Sequence, residues 1–171
     1  MDTSDVIINK VAESGLVTLD LASFYPKEEI KIFDLKDYLF RGLIIREKEF
    51  REALKSTGWQ QYKNTNVAVT CTADAIIPVW AYMLVATYLQ PVANKIILGD
   101  EKKLIEFILL ENISRINIEE FQNKRVVVKG CGDLPIPESI YLHITTVLLP
   151  HVKSIMYGEP CSTVPLFKKK N

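Results

Sequence analysis

The sequence predicts an α/β protein: a mainly parallel sheet of about four strands with flanking helices, preceded by a mixed α+β N-terminal region. Three observations lead there. From residue 64 onward, short β-branched runs alternate with helix-length segments, the pattern of βαβ units. Two of those runs, Val67-Ala68-Val69 and Val126-Val127-Val128, are unbroken apolar stretches, as expected of strands covered on both faces. The 171 residues are 48% hydrophobic and 25% charged, the balance of a packed globule rather than a disordered chain.

In the lead-in, residues 1–60, Thr3 or Ser4 can cap a helix carrying Val6, Ile7 and Val11, which Gly15 stops. Leu16 to Leu21 partly alternates and reads as a strand; Tyr25 to Glu29 is a turn, and Ile30 to Phe33 a second strand. Asp34 caps a short helix reaching Arg41 before Gly42. A charged helix over Arg46–Ser56 places Phe50 and Leu54 on one face. In the core, residues 64–171, the strands are Asn66–Thr70, Lys95–Leu98, Arg125–Lys129 and Lys153–Tyr157. The helices between them are Asp74–Leu89, Glu101–Ile113 and Pro137–Leu149. The whole chain, 1–171, reads as one domain.

Charge excludes one class of partner. Lys plus Arg equals Asp plus Glu at 21 each, so the chain lacks the footprint of a general nucleic-acid binder, and Lys168 to Lys170 reads as a solvated tail. The acidic start, Met1 to Asp5, is no secretory signal, and the uncharged stretch 75–94 has an apolar part of only about 15 residues, too short to span a bilayer. The expectation is a cytoplasmic protein without membrane or nucleic-acid partners, open to homo-oligomer formation, whose thiols stay reduced.

The candidate chemistry lies just past the strands. Parallel strands send their carboxyl ends to one edge, where ligands of open α/β sheets bind. That edge is expected to gather Cys71, Cys131 and Cys161 with Asp74, Asp100, Asp133 and Glu159, and with no Lys or Arg. Three thiolates with a carboxylate or water suit zinc or an iron–sulfur cluster, so Cys71, Cys131, Cys161, Asp74, Asp100 and Asp133 are the candidate metal residues. No CxxC pair supports them, and a free cysteine is often only a small buried hydrophobe. Gly130 and Gly132 let a ligand approach closely, and Ser162 and Thr163 offer hydroxyls and amides; these four are the candidate cofactor-binding residues. A cysteine nucleophile needs a nearby base, but His143 falls mid-helix and His151 before a strand at the opposite edge. Gly130-Cys131-Gly132 fails as a dinucleotide fingerprint. Trp80, Tyr82 and Tyr88 read as core, while Trp59 and Tyr62 fall in a loop.

Four segments carry a family resemblance. They are Asp34–Phe40 with Arg46–Arg51, then Cys71–Pro78, Lys129–Asp133 and Gly158–Pro165. Through them the chain resembles a bacterial family of uncharacterised proteins, domain of unknown function 2480. The resemblance supplies no activity. It implies a context of iron–sulfur cluster assembly, with iron–sulfur assembly proteins as partners and a metal-handling accessory role. The alternatives are a small-molecule-binding protein or enzyme at the same crevice, and an interaction protein whose cysteines are structural.

Overall fold

The computed structural model describes residues 15–130, 132, 134–159 and 161–170. The helix expected near Val6 and Val11 lies outside the described residues. The strands are β1 (Leu16–Asp20), β2 (Ile30–Asp34), β3 (Asn66–Thr70), β4 (Lys95–Leu98), β5 (Arg125–Lys129), β6 (Ser154–Glu159) and β7 (Ser162–Lys168). The α-helices are α1 (Glu47–Ser56), α2 (Val79–Leu89), α3 (Glu101–Ser114) and α4 (Glu138–Leu148). The α/β class stands. None of these helices is long and apolar enough to cross a membrane.

The strands form two sheets rather than one. A three-stranded sheet, β2-β3-β4, is parallel throughout; a four-stranded sheet, β1-β5-β6-β7, is parallel apart from its antiparallel edge β7. The chain accordingly divides into two compact units, Met1–Tyr25 with Ile108–Asn171, and Pro26–Phe107. The lead-in strands are split between them, β1 pairing with β5 and β2 with β3. The βα spacing is blind to this, because it fixes the order of elements along the chain and not which strands are neighbours.

An internal duplication underlies the division. From Tyr62 to Asp100 the chain aligns without a gap on Phe121 to Glu159, at a constant offset of 59 residues. Asn64 matches Asn123, Tyr82 matches Tyr141, Leu89 matches Leu148, Pro91 matches Pro150 and Gly99 matches Gly158. Structure follows the same register. Strands β3 and β5 coincide, and so do helices α2 and α4, each preceded by an extended proline, Pro78 or Pro137. Asn64 and Asn123 both have positive φ, 58° and 57°, and their N–H groups donate to matched carbonyls, those of Val92 and His151, at 2.9 and 2.8 Å. The buried faces Ala81/Val85/Leu89 and Ile140/Ile144/Leu148 also correspond. So do Phe50 and Leu54 of α1 and Leu109 and Ile113 of α3.

Two other differences from expectation have local causes. Helix α2 starts at Val79 rather than at Asp74, because Pro78 disfavours helical backbone in the residue before it. Residues 162–168 form a strand although Pro165 interrupts them; β7 lies at the edge of its sheet, where a missing N–H is tolerated. In the unit Pro26–Phe107, Phe33, Phe50, Leu54 and Leu89 anchor the core, with Trp80, Tyr82 and Tyr88 packed against it as expected. Trp59 and Tyr62 belong to that core too: Trp59 stacks between Phe33 and Tyr88, at 5.5 and 5.0 Å, and donates its indole N–H to the Leu54 carbonyl.

Candidate functional site

The two sheets distribute the expected site over two edges. Cys71, Asp74 and Asp100 follow strands of the three-stranded sheet; Gly130, Gly132, Cys161, Ser162 and Thr163 follow strands of the four-stranded one. Cys131 and Asp133 lie outside the described residues. Of the described cysteines, Cys71 and Cys161 therefore follow strands of different sheets. Among the described residues, no group of three or more His, Cys, Asp or Glu side chains is placed to hold a metal ion.

Several candidates have structural work that accounts for them. The half-buried Cys71 packs against the core, and its thiol faces the Ala73 carbonyl at 3.6 Å. Burial pushes the pKa of the Tyr82 hydroxyl up, with Cys71 beside it adding to the effect. Asp100 caps α3, its Oδ1 accepting the Lys103 N–H at 2.9 Å. Asp74 is exposed. Ser162 and Thr163 begin β7 and pair with Glu159 and Gly158, so they belong to a hairpin ladder and not to an open loop. The Thr163 hydroxyl is turned to the Met156 sulfur at 3.7 Å. Glu159 pairs with Lys129 at 3.3 Å. Cys161 is exposed at the hairpin turn.

Gly130 leads to the better site. The space a side chain would need there is filled by Tyr141, whose hydroxyl donates to the Gly130 carbonyl at 3.0 Å. Position 130 corresponds to Cys71 in the other unit, and Tyr141 to Tyr82. Glycine at one site and cysteine at the other thus each lie beside the same tyrosine of the repeat. In turn, Tyr141 packs edge-on against Tyr157, ring centres 5.7 Å apart. Around this pair opens a cleft of about 400 Å³ between α4 and the sheet, lined by Val128, Ile136, Glu138, Tyr141, Thr145, Tyr157 and Leu166. Val128 and Tyr157 lie near the carboxyl ends of β5 and β6, the end of a parallel sheet that favours ligands.

The lining is apolar and aromatic with few polar groups, the usual composition of a small-molecule pocket, and the volume falls in the usual range of roughly 300–1,000 Å³. Glu138 stands in the first turn of α4, where the helix dipole favours a negative charge. Tyr157 and Leu166 are 36% and 54% exposed, which marks the open side of the cleft. The candidate residues read from the sequence follow these strands, but none of them lines the cleft. Tyr141 read as an ordinary position on a helix, and Leu166 belonged to a strand that Pro165 disguised. The signal available was the repeat itself: a proline followed four residues later by tyrosine recurs at Pro78/Tyr82 and Pro137/Tyr141.

Fold and cleft together define an α/β protein of two duplicated parallel-sheet units, one of them carrying a ligand-sized cleft at its strand ends. The chain belongs to a family of proteins of unknown function, DUF2480, whose model matches residues 5–169. Nothing among curated proteins or solved structures matches it. Membership confirms the family resemblance and carries no activity, so function must be argued from the geometry.

Proposed function

We propose that this protein binds a small molecule in the Tyr141–Tyr157 cleft of the four-stranded sheet. The observation that carries the reading is a ligand-sized, aromatic-walled cleft opening where the parallel strands β5 and β6 end. The chemistry of the walls selects the ligand class. Tyr141, Tyr157, Val128 and Leu166 offer apolar surface to a flat body. Among the described lining residues Glu138 offers the one carboxylate, which favours an amine or another hydrogen-bond donor at that end of the ligand.

A fragment screen by two-dimensional amide NMR tests it, using aromatic and heteroaromatic amines with their neutral isosteres. Shift changes are expected to cluster on residues 136–145 and 157–166, with amines preferred. Tyr157→Ala is expected to abolish them while leaving the remaining spectrum in place. A ligand at 100 times its Kd should also raise stability by about 2.7 kcal/mol. Fragments that cluster elsewhere, or that bind Tyr157→Ala equally well, would refute the assignment. Elemental analysis of anaerobically purified protein separates the rival thiol chemistry: stoichiometric zinc or iron lost in Cys161→Ser would replace the small-molecule reading with a metal-handling one.

A further inference from the structure

The opposite end of the same sheet has the opposite electrostatic character. Strand β7 runs antiparallel to β6, so its last residues return to where β5 and β6 begin. The ladder sets Arg125, Ser154 and Lys168 side by side across three strands, since Ser154 pairs with both of the others. One residue further out, the Lys153 N–H donates to the Lys124 carbonyl at 2.7 Å, and the Lys169 N–H donates to the Lys153 carbonyl at 2.9 Å. The residues expected to be a solvated tail are therefore stitched beside Lys153 by a backbone hydrogen bond.

Two depressions lie here. One, of about 470 Å³, is lined by Arg125, Lys153, Ser154, Met156, Pro165, Phe167 and Lys168. The second, of about 400 Å³, is lined by Asn123, Lys153, Lys169 and Lys170. Lys153 belongs to both, so they adjoin. Among the described residues, five cations and no carboxylate line the pair. The chain as a whole is neutral, with 21 charges of each sign, so this concentration is local and not a by-product of a basic composition. The apolar part of the larger depression's lining is Met156, Pro165 and Phe167.

We propose that these adjoining depressions bind a small polyphosphate ligand with an aromatic body, of the nucleoside di- or triphosphate class. Lys153, Lys169 and Lys170 face the phosphates, and Phe167 with Met156 and Pro165 receives the base. A single phosphate would use one depression only; two or three in a row span the cations of both. The site lies at the amino ends of β5 and β6, distinct from the Tyr141–Tyr157 cleft at their carboxyl ends, and each can stand without the other.

Calorimetric titration of the full chain with ATP, tripolyphosphate and adenosine at 50 mM NaCl tests the assignment. ATP is expected to bind more tightly than tripolyphosphate, and adenosine much more weakly than either. Raising salt to 200 mM should weaken ATP binding by roughly tenfold, as screening shortens the reach of the cations. Lys153→Glu and the double change Lys169→Glu/Lys170→Glu, all at exposed positions, should each reduce ATP affinity at least tenfold with an unchanged circular dichroism spectrum; Lys63→Glu, exposed in the other unit, should leave it unchanged. Phe167→Ala should weaken ATP and spare tripolyphosphate. Absence of ATP binding at 1 mM, or unchanged affinity in Lys153→Glu, would overturn the proposal. A twelve-nucleotide single strand that binds more tightly than ATP, across several nucleotides, would overturn the small-ligand assignment in favour of nucleic acid.

Discussion

Asp34 and Gly130 show how single residues fix the two units. The Asp34 side chain, 12% exposed, accepts the Lys36 N–H at 2.9 Å, the Thr72 N–H at 3.1 Å and the Thr72 hydroxyl at 2.5 Å, and pairs with the Lys36 ammonium at 3.4 Å. Burial opposes its ionisation, but the bonds from Thr72 and Lys36 outweigh that effect and hold the carboxyl below its ordinary range. Because the folded pKa is the lower one, the contribution is present above the unfolded pKa, near 4, and is lost as pH falls through the folded value. Asp34→Asn should therefore destabilise by about 1–2 kcal/mol at pH 7, with the gap to wild type closing below pH 4 in urea melts. At Gly130 the constraint is space. Its alanine variant must push away a tyrosine ring held by Tyr157, at about 1–3 kcal/mol. Tyr141→Phe, which loses the bond to the Gly130 carbonyl, should cost about 0.5–1.5 kcal/mol. Thermal or denaturant melts of the three variants check these values.

Among elements, the strand entries of the two repeats are the most constrained. Asn64 and Asn123 precede β3 and β5 by the same number of residues and hold the left-handed backbone that Asn and Gly tolerate best. Replacing either by valine should cost about 1–2 kcal/mol, while glycine should be close to neutral. Similar losses at both positions in urea melts are what a conserved duplication geometry requires; a large loss at one alone would show that the correspondence is only formal. Among the described residues, strand β7 has no counterpart in the three-stranded sheet, which ends at β4. It supplies Leu166 to the cleft and Lys168 to the basic end, so both proposed sites draw on this added strand.

For the whole molecule, the two units have convenient reporters. Both tryptophans, Trp59 and Trp80, fall within Pro26–Phe107, so tryptophan fluorescence reads that unit, whereas far-ultraviolet circular dichroism reads both. Ile144→Ala, in the core of the other unit, should cost about 2–5 kcal/mol there. It is expected to lower the circular dichroism midpoint well before the fluorescence midpoint moves. Equal shifts by both probes would mean that the units unfold as one cooperative body.

Much of the local structure is legible in the sequence because local rules govern it. The strands Asn66–Thr70, Lys95–Leu98 and Arg125–Lys129 appear with their expected limits, since unbroken β-branched runs have few alternatives to a buried strand. Asp34 as a cap and the Phe50/Leu54 face of α1 follow from side-chain chemistry and the 3.6-residue period. What the tertiary structure alone decided is adjacency. Hydrogen-bonded strand order is a non-local property, and it placed Cys71 on one sheet and Cys161 on the other, assigned β1 and β2 to different units, and folded the lysine-rich end back onto β6 as an edge strand. A cluster of residues at strand ends is meaningful only when the strands share a sheet. Cys71 and Cys161 follow strands of different sheets, whereas Tyr141 and Tyr157, unremarked in the sequence, meet in one unit.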